Sequence, residues 1–452
     1  MSHLLDSRIY RDMFGTTEMR DIFTDRSLVQ TWLDVEVALA RAGAVADVIP
    51  LWAAEEIACK ARIESIDFEA LGRQTEVVGY PILPLIRILA AQCEKGAGEY
   101  VHWGATTQDI MDTAVVLQLR RVHGILTRDL QFLIDIAADL AKRYRDTLMA
   151  GRTHGQHALP ITFGFKVAVW IAELARHRER LQSIAARLFV GQFAGAAGTL
   201  ASLGAQGLVV QREMMRELGL GVPSIAWHVA RDVFVEFVTL LALISGTIAK
   251  IGQEIALLQK TEVSEVEEGY VEGRGGSSTM PQKRNPITCE VLMALGAIVA
   301  HDAALMYTAM HPDHERATGP WHVEWEVIPE ACILAGGALH QAIALLRNLI
   351  VRSDRMILNL NLTKGLIGSE AVLMALAPTV GRQRAHGIIY RAAMTAVESG
   401  RSLEMILGDD QEVRAHLSLE RIRIALDPST YSGLSGEFVD RVLATVGHLS
   451  KG

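Results

Sequence analysis

The stretch from Asp109 to about Leu148 constrains the fold more than any other part of the chain. Val115, Leu119, Val122, Leu126, Leu133, Ile136 and Leu140 recur there at threes and fours, the spacing of one helix face. A helix of about 38 residues runs roughly 57 Å. A rod of that length draws its stability from packing against neighbours of similar length. The sequence offers four, over about 163–188, 232–268, 287–310 and 322–351. Five long helices with few strand signals predict an all-α fold built on a long five-helix bundle. Alanine and leucine dominate and only 6% of residues are aromatic, which also favours helix over sheet. The run from Phe237 to Leu258 is apolar on nearly every side, more than the inward stripe of one bundle requires. Several of its faces are therefore expected to be buried, which means oligomerisation into a larger helical core.

The bundle sets the expected division into three domains: residues 1–108, a bundle domain over 109–351, and a small helical domain over 352–452. In the first, Thr24-Asp25-Arg26-Ser27 reads as a capped helix start before Leu28–Ala42, with Gly43 as its stop. Gly79-Tyr80-Pro81 and Leu83-Pro84 read as breaks. The last hundred residues shift to shorter helices, broken at 359–362, 378, 408–410 and 428–433.

A formal net charge of −8 with no basic block argues against nucleic acid or an anionic membrane as partner. Cys59, Cys93, Cys289 and Cys332 are scattered and read as buried thiols in a reducing compartment. The N-terminus carries acid and base too early for a signal peptide, and the longest uncharged apolar window, Phe237–Ala249, is too short for a bilayer. A cytoplasmic enzyme is the expectation.

Three polar loops interrupt these helices. The first, His102 to Asp109, ends in Thr106-Thr107-Gln108-Asp109, a good helix start that also suits a bound carboxylate. The second is Gly151-Arg152-Thr153-His154-Gly155-Gln156-His157-Ala158-Leu159-Pro160. His154 and His157 are three apart, but no third residue at a telling spacing completes a metal site, so no metal is expected. His157 reads as a satisfied core histidine; His154 is the candidate acid, because histidine titrates near neutrality. The third loop, Gly275 to Pro286, holds a hydroxyl pair, a lysine, an arginine and an amide, groups that suit chemistry beside a carboxylate. The acidic run Glu262, Glu265, Glu267, Glu268 and Glu272 before it reads as a solvated helix end.

The run Gly276-Ser277-Ser278-Thr279-Met280-Pro281-Gln282-Lys283-Arg284-Asn285-Pro286 resembles the signature loop of the fumarase/aspartase superfamily, which includes fumarase, aspartase, argininosuccinate lyase, adenylosuccinate lyase and carboxymuconate cycloisomerase. The resemblance implies a homotetramer whose active sites are each assembled from three subunits, acting without cofactor on a small di- or tricarboxylate. It makes Ser277 the catalytic base, removing a proton beside a carboxylate. It makes Lys283 and Asn285 the stabilisers of the resulting aci-carboxylate, and His154 the general acid. Thr106, Thr107, Gln108 and Thr153 would grip the carboxylates.

Two segments are similar to the carboxymuconate cycloisomerase branch: Val101-His102-Trp103-Gly104-Ala105-Thr106-Thr107-Gln108-Asp109, and the stretch from His311 to Glu326 with its His-Glu-Arg and Trp-His-x-Glu-Trp-Glu. The tryptophans fit helix packing equally well. Cycloisomerases of that branch carry an aromatic residue where this chain has His154, and the Thr-His-Gly-x-His form looks like adenylosuccinate lyase. Adenylosuccinate lyase in turn has Arg-Tyr-Ser where this chain reads Met13-Phe14-Gly15, and a histidine in the segment matching 74–81, which has none here. A purine nucleotide substrate is thus disfavoured. The main expectation is a cycloisomerase-like enzyme. The alternatives are a carbon–nitrogen lyase releasing fumarate from an N-succinyl-type compound, and a catalytically silent scaffold.

Overall fold

A computed structural model describes residues 4–269, 275–276, 279–280, 282–316 and 319–449. Its principal elements are α1 (Asp25–Val45), α2 (Ile82–Gln92), α3 (Thr107–Arg143), β1 (Leu148–Thr153), β2 (Gln156–Thr162), α4 (Phe163–Leu188), α5 (Asp232–Gln259), β3 (Val266–Glu267), α6 (Ile287–Met306), α7 (Pro320–Arg347), β4 (Ile350–Val351), α8 (Ser369–Val380) and α9 (Arg382–Ser399). The fold is all-α. Among the described residues the named strands form only two antiparallel pairs, β1–β2 and β3–β4. All five long helices are present.

Several boundaries differ from the sequence reading. Thr24 does cap α1, its hydroxyl accepting from the Ser27 amide, but the helix runs through Gly43 to Val45. Gly43 is buried there because the returning chain lays Ile49 against it; a Cβ would sit 3.3 Å from the Ile49 side chain. Pro84 falls in the first turn of α2, where its missing N–H costs no helical hydrogen bond. α5 stops at Gln259 rather than 268, and α7 at Arg347 rather than 351, because the segments beyond them pair as β3 and β4, Val266 opposite Val351. Cys59 is exposed, whereas Cys289 and Cys332 are buried and their thiols are pushed up by that burial. Three segments, Asp232–Gln259, Ile287–Met310 and Pro320–Arg347, are by length and composition long and apolar enough to cross a membrane, so the window test on uncharged residues understated them. A helix buried on most sides in a bundle has that same composition. The first of the three carries Lys250 and Glu254, which pair with Glu173 and Lys166 of α4.

The chain divides into two compact units. The first comprises Met1–Leu130, His177–Ile248 and Val291–Gln341. Along its part of α3, Leu119, Val122 and Leu126 are buried as the periodicity predicts. Arg231, just before α5, is 1% exposed. Its two terminal nitrogens donate to Asp112 of α3 at 2.8 and 2.9 Å, and its Nε donates to Glu324 of α7 at 2.8 Å. One buried cation thus ties two long helices to the start of a third. Burial pushes the Glu324 carboxyl up, Arg231 opposes that, and Asp112 adds to it.

The second unit comprises Gln131–Arg176, Ala249–Glu290 and Ala342–Gly452. It holds both strand pairs and a hydrophobic cluster in which Val372 and Leu376 of α8 pack with Ile388 and Ile389 of α9 and with Leu403 and Leu407.

Arg231→Met would leave two buried carboxylates facing each other without a counter-charge. Removing one partner of a buried ion pair costs about 3–5 kcal/mol, so the urea midpoint at neutral pH should fall sharply. A shift no larger than that of the exposed Arg421→Met would contradict this account of the bundle.

Candidate active site

The first polar loop is the head of α3. The Asp109 carboxylate reaches back to the Thr106 amide at 3.0 Å, and the Asp109 amide donates to the Thr106 carbonyl at 3.0 Å, half of a capping box. Asp109 is fully buried and accepts three further bonds, from the amides of Ala194 (3.0 Å) and Gly195 (2.9 Å) and from His228 Nε2 (2.8 Å). Gln108 is buried, its amide donating to the His228 carbonyl at 2.8 Å. Thr107 is half-buried. The Thr106 hydroxyl accepts from Arg316, the arginine of the His-Glu-Arg segment. Upstream, His102 has a left-handed backbone (φ 63°), and its Nδ1 lies 2.6 Å from the buried Glu36 carboxylate. Burial alone would lower the His102 pKa; the Glu36 and Asp109 carboxylates outweigh it, and the result is raised.

Also in this unit, the Trp-His-x-Glu-Trp-Glu segment begins α7. Trp321 stacks on Tyr80 with centroids 6.0 Å apart, and His322 and Trp325 lie 4.4 Å apart. The tryptophans therefore do pack, as one of their two readings held.

The second polar loop is a β-hairpin. Thr153 pairs with Gln156, which leaves His154 and Gly155 as a two-residue turn, both with positive φ (51° and 77°). That is the backbone of a type I′ hairpin turn, where glycine is at home and a histidine is not. It places Thr153 and His154 exposed at a tip. The sequence reading took this stretch as a polar loop between helices. Gly151 sits at the irregularity in the β1–β2 register between Ala150 and Arg152. His157 is half-buried and its Nδ1 has no hydrogen-bond partner among the described residues, so it is not the satisfied core histidine expected. Burial and the nearby Arg152 cation lower its pKa, against the pull of Glu265. Among the described residues no group of three or more His, Cys, Asp or Glu side chains is arranged to hold a metal ion.

The third loop is visible at its stem. The Asn285 amide and its side-chain Nδ2 both donate to the Gly275 carbonyl, at 3.1 Å each, and Gly276 bridges Arg284. Lys283 is exposed. Ser277, with its neighbour Ser278, lies outside the described residues.

The acidic run before this loop is not a solvated helix end. Glu265 is fully buried and takes Arg152 in a two-pronged contact (2.7 and 2.9 Å) plus Asn359 at 2.9 Å. Glu267 binds Arg284 at 2.6 Å through one oxygen and Arg352 through the other. Burial would raise its pKa, but the two arginines hold it below the usual range. Glu268 accepts from the Thr288 amide and hydroxyl and from the Cys289 amide, covering the N-terminus of α6. The hairpin strand that leads to His154 and the stem that carries Lys283 and Asn285 are thus both anchored to residues 265–268.

Within the first unit, then, Thr106, Thr107 and Gln108 share one helix start. Within the second, Thr153 and His154 share a hairpin tip, and Lys283 and Asn285 a loop stem. A family model described as "Lyase" matches residues 14–300, and one described as "Adenylosuccinate lyase C-terminus" matches 365–442. The chain belongs to the fumarase/aspartase superfamily. It is an enzyme of the lyase type that this family comprises. It is 44% identical to the 3-carboxy-cis,cis-muconate cycloisomerase of Pseudomonas aeruginosa, over 98% of this chain and 97% of that one. It is 40% identical to the N-acetyl-S-(2-succino)cysteine lyase of Dickeya dadantii, over 98% and 97%. The crystal structure of a fumarate lyase from Mesorhizobium sp. BNC1 superposes with a TM-score of 0.90 at 47% identity, over 95% of this chain and 98% of that one.

The His102–Glu36 pair has a pH signature in this fumarate-lyase fold. A histidine whose folded pKa is raised contributes stability that is fully present below its ordinary value, ~6.5, and is lost as pH rises through the folded value. The gap in melting temperature between wild type and Glu36→Gln should therefore narrow as pH rises above about 6.5. A gap that widens over that range would show that the pair is not charged in the way described.

Proposed function

We propose that this enzyme is a cycloisomerase of the carboxymuconate type, and that Ser277 and Lys283 work as the family's signature loop implies. The observation that carries the reading is the 44% identity to a 3-carboxy-cis,cis-muconate cycloisomerase over almost the whole of both chains. In the lactonising direction a substrate carboxylate oxygen adds to a carbon–carbon double bond. The electron pair moves to the carbon beside a second carboxylate and is held there as an aci-carboxylate, and that carbon then takes a proton. In reverse, Ser277 as alkoxide removes the proton. Lys283 and Asn285 are assigned to the charge that develops, a preorganised donor of this kind contributing a few kcal/mol. Thr106, Thr107, Gln108 and Thr153 are assigned to the carboxylates; among them the half-buried Thr107 and exposed Thr153 support this most directly.

The reading includes the homotetramer with sites shared among three subunits, and the domain division at 108 and 351. Exposed Leu243, Leu257 and Leu305 on the long helices support the former, and the separate hydrophobic cluster of α8 and α9 the latter. A cytoplasmic location goes with it.

His154 favours a second reading. At an exposed hairpin tip it is free to protonate a leaving atom as Ser277 takes the proton beside the carboxylate and the carbon–heteroatom bond breaks, releasing fumarate. The relative from Dickeya dadantii is named for cleavage of a succinyl thioether, so sulfur joins nitrogen as a leaving atom.

An ultraviolet assay on 3-carboxy-cis,cis-muconate, N-acetyl-S-(2-succino)cysteine, argininosuccinate and adenylosuccinate, with fumarate followed by chromatography, separates them. Loss of muconate absorbance without fumarate is the expected result, and His154→Ala should then leave turnover nearly intact. Fumarate from a succinyl compound, with His154→Ala costing about 10²–10⁴-fold, would replace the cycloisomerase reading with the second.

A further inference from the structure

Glu267 has no part in the chemistry described above, yet its carboxylate grips Arg284, a stem residue of the signature loop whose carbonyl also accepts from the Gln259 side chain at 3.4 Å. It is 8% exposed and lies on β3, outside the loop. One carboxylate oxygen takes Arg284, inside the loop; the other takes Arg352, which follows β4. β3 and β4 are themselves paired, Glu267 opposite Ile350. The guanidinium of Arg284, itself half exposed, is thereby tied to the paired strands β3 and β4. Arg284 stands between Lys283 and Asn285 in the chain. On either side of it the backbone is closed by the Gly276–Arg284 bridge, by the bond from Asn285 to Gly275, and by a turn in which the Lys283 amide donates to the Met280 carbonyl at 3.1 Å.

We propose that Glu267 is a positioning residue for the signature loop: by fixing Arg284 it sets where Lys283 and Asn285 stand. The proposal rests on the reading that those two residues hold the developing negative charge. A lysine on an exposed loop has many conformers of similar energy, and a misplacement of about 1 Å at a catalytic group can cost about 10²-fold in rate. Glu267 acts on the backbone that carries Lys283. Arg352 takes the carboxylate's other oxygen from the β4 side, so this link to the loop runs from Glu267 to Arg284.

The test compares wild type with Glu267→Gln, Arg284→Gln, the double variant, Arg352→Gln and Lys283→Ala. Amide hydrogen exchange, which reads local opening without any substrate, comes first. Glu267→Gln should speed exchange at Lys283–Asn285 by about tenfold or more, while amides in the middle of α6 keep their wild-type rates. With 3-carboxy-cis,cis-muconate as substrate, kcat should fall by roughly 10- to 100-fold with little change in KM. The double variant should be no slower than Arg284→Gln alone, because both changes break the same link. Arg352→Gln should move kcat far less than Glu267→Gln does. Unchanged exchange at 283–285 would overturn the proposal. So would exchange that speeds equally throughout the second unit, or kcat losses that multiply in the double variant. If Glu267→Gln does not fold, Arg284→Gln reads the same link from the loop side. Full turnover by Lys283→Ala would instead defeat the reading of the site, while the exchange result would still stand or fall by itself. If carboxymuconate is not turned over, exchange alone decides.

Discussion

The carboxylate of Asp109 is the interaction on which the first unit's polar architecture depends. A fully buried carboxylate is costly unless its oxygens are matched by donors. Here four donors meet it, from Thr106, Ala194, Gly195 and His228. They come from three stretches of chain far apart in sequence, so satisfying one side chain brings those stretches into register. Because the carboxylate accepts, His228 donates from Nε2, which fixes its tautomer. One turn further along α3, Asp112 repeats the device with Arg231, which reaches on to Glu324. The head of the longest helix is thus both the place where a carboxylate substrate is expected and the place where the unit is locked together. Thr106, Thr107 and Gln108 owe their positions to the residue that follows them.

The second unit solves a related problem with acids in sequence order. Glu265, Glu267 and Glu268 each meet a different set of partners: Arg152 and Asn359, Arg284 and Arg352, and the start of α6. Glu265 holds the strand that leads to His154, Glu267 holds the loop stem, and Glu268 covers the start of α6. Residues 265–268 therefore act as a common base for two of the three polar loops. That is a more economical arrangement than separate anchors, since any shift of this segment would move hairpin and stem together.

Much of this was legible in the sequence where the signal was local. The five long helices follow from apolar spacing, and the Thr24 cap and the helix start at Thr106–Thr107 follow from hydroxyl and acid placement. What could not be read was set by partners far along the chain. The acidic run looked solvated because Arg152 and Asn359 lie some hundred residues from Glu265 in either direction. Gly43 looked like a stop because nothing local announces that Ile49 will pack on it. The turn at His154 and Gly155 was hidden for a different reason: a histidine with positive φ runs against local preference, so propensity argues for an irregular loop where the structure has a hairpin. Ser277 lies outside the described residues, and its role stands on the resemblance of its loop alone.

The same distinction explains why the family is plain while the substrate is a proposal. Proton abstraction beside a carboxylate needs a base, a cation and donors, and these sit in short stretches that carry their own pattern. A substrate's leaving group is met by whatever occupies the remaining wall of the site. At comparable identity over nearly their full lengths, the relatives of this chain include a cycloisomerase and a lyase of a succinyl thioether. The exchange of one chemistry for the other asks only for a change in what stands opposite the reacting bond. His154, on a hairpin tip held by Arg152 and Glu265, occupies a position where such a change costs the fold little. Its side chain is exposed, whereas Arg152 and the fully buried Glu265 beneath it are paired. An exposed tip on a buried, paired anchor is an arrangement by which one scaffold can accommodate a change at the tip.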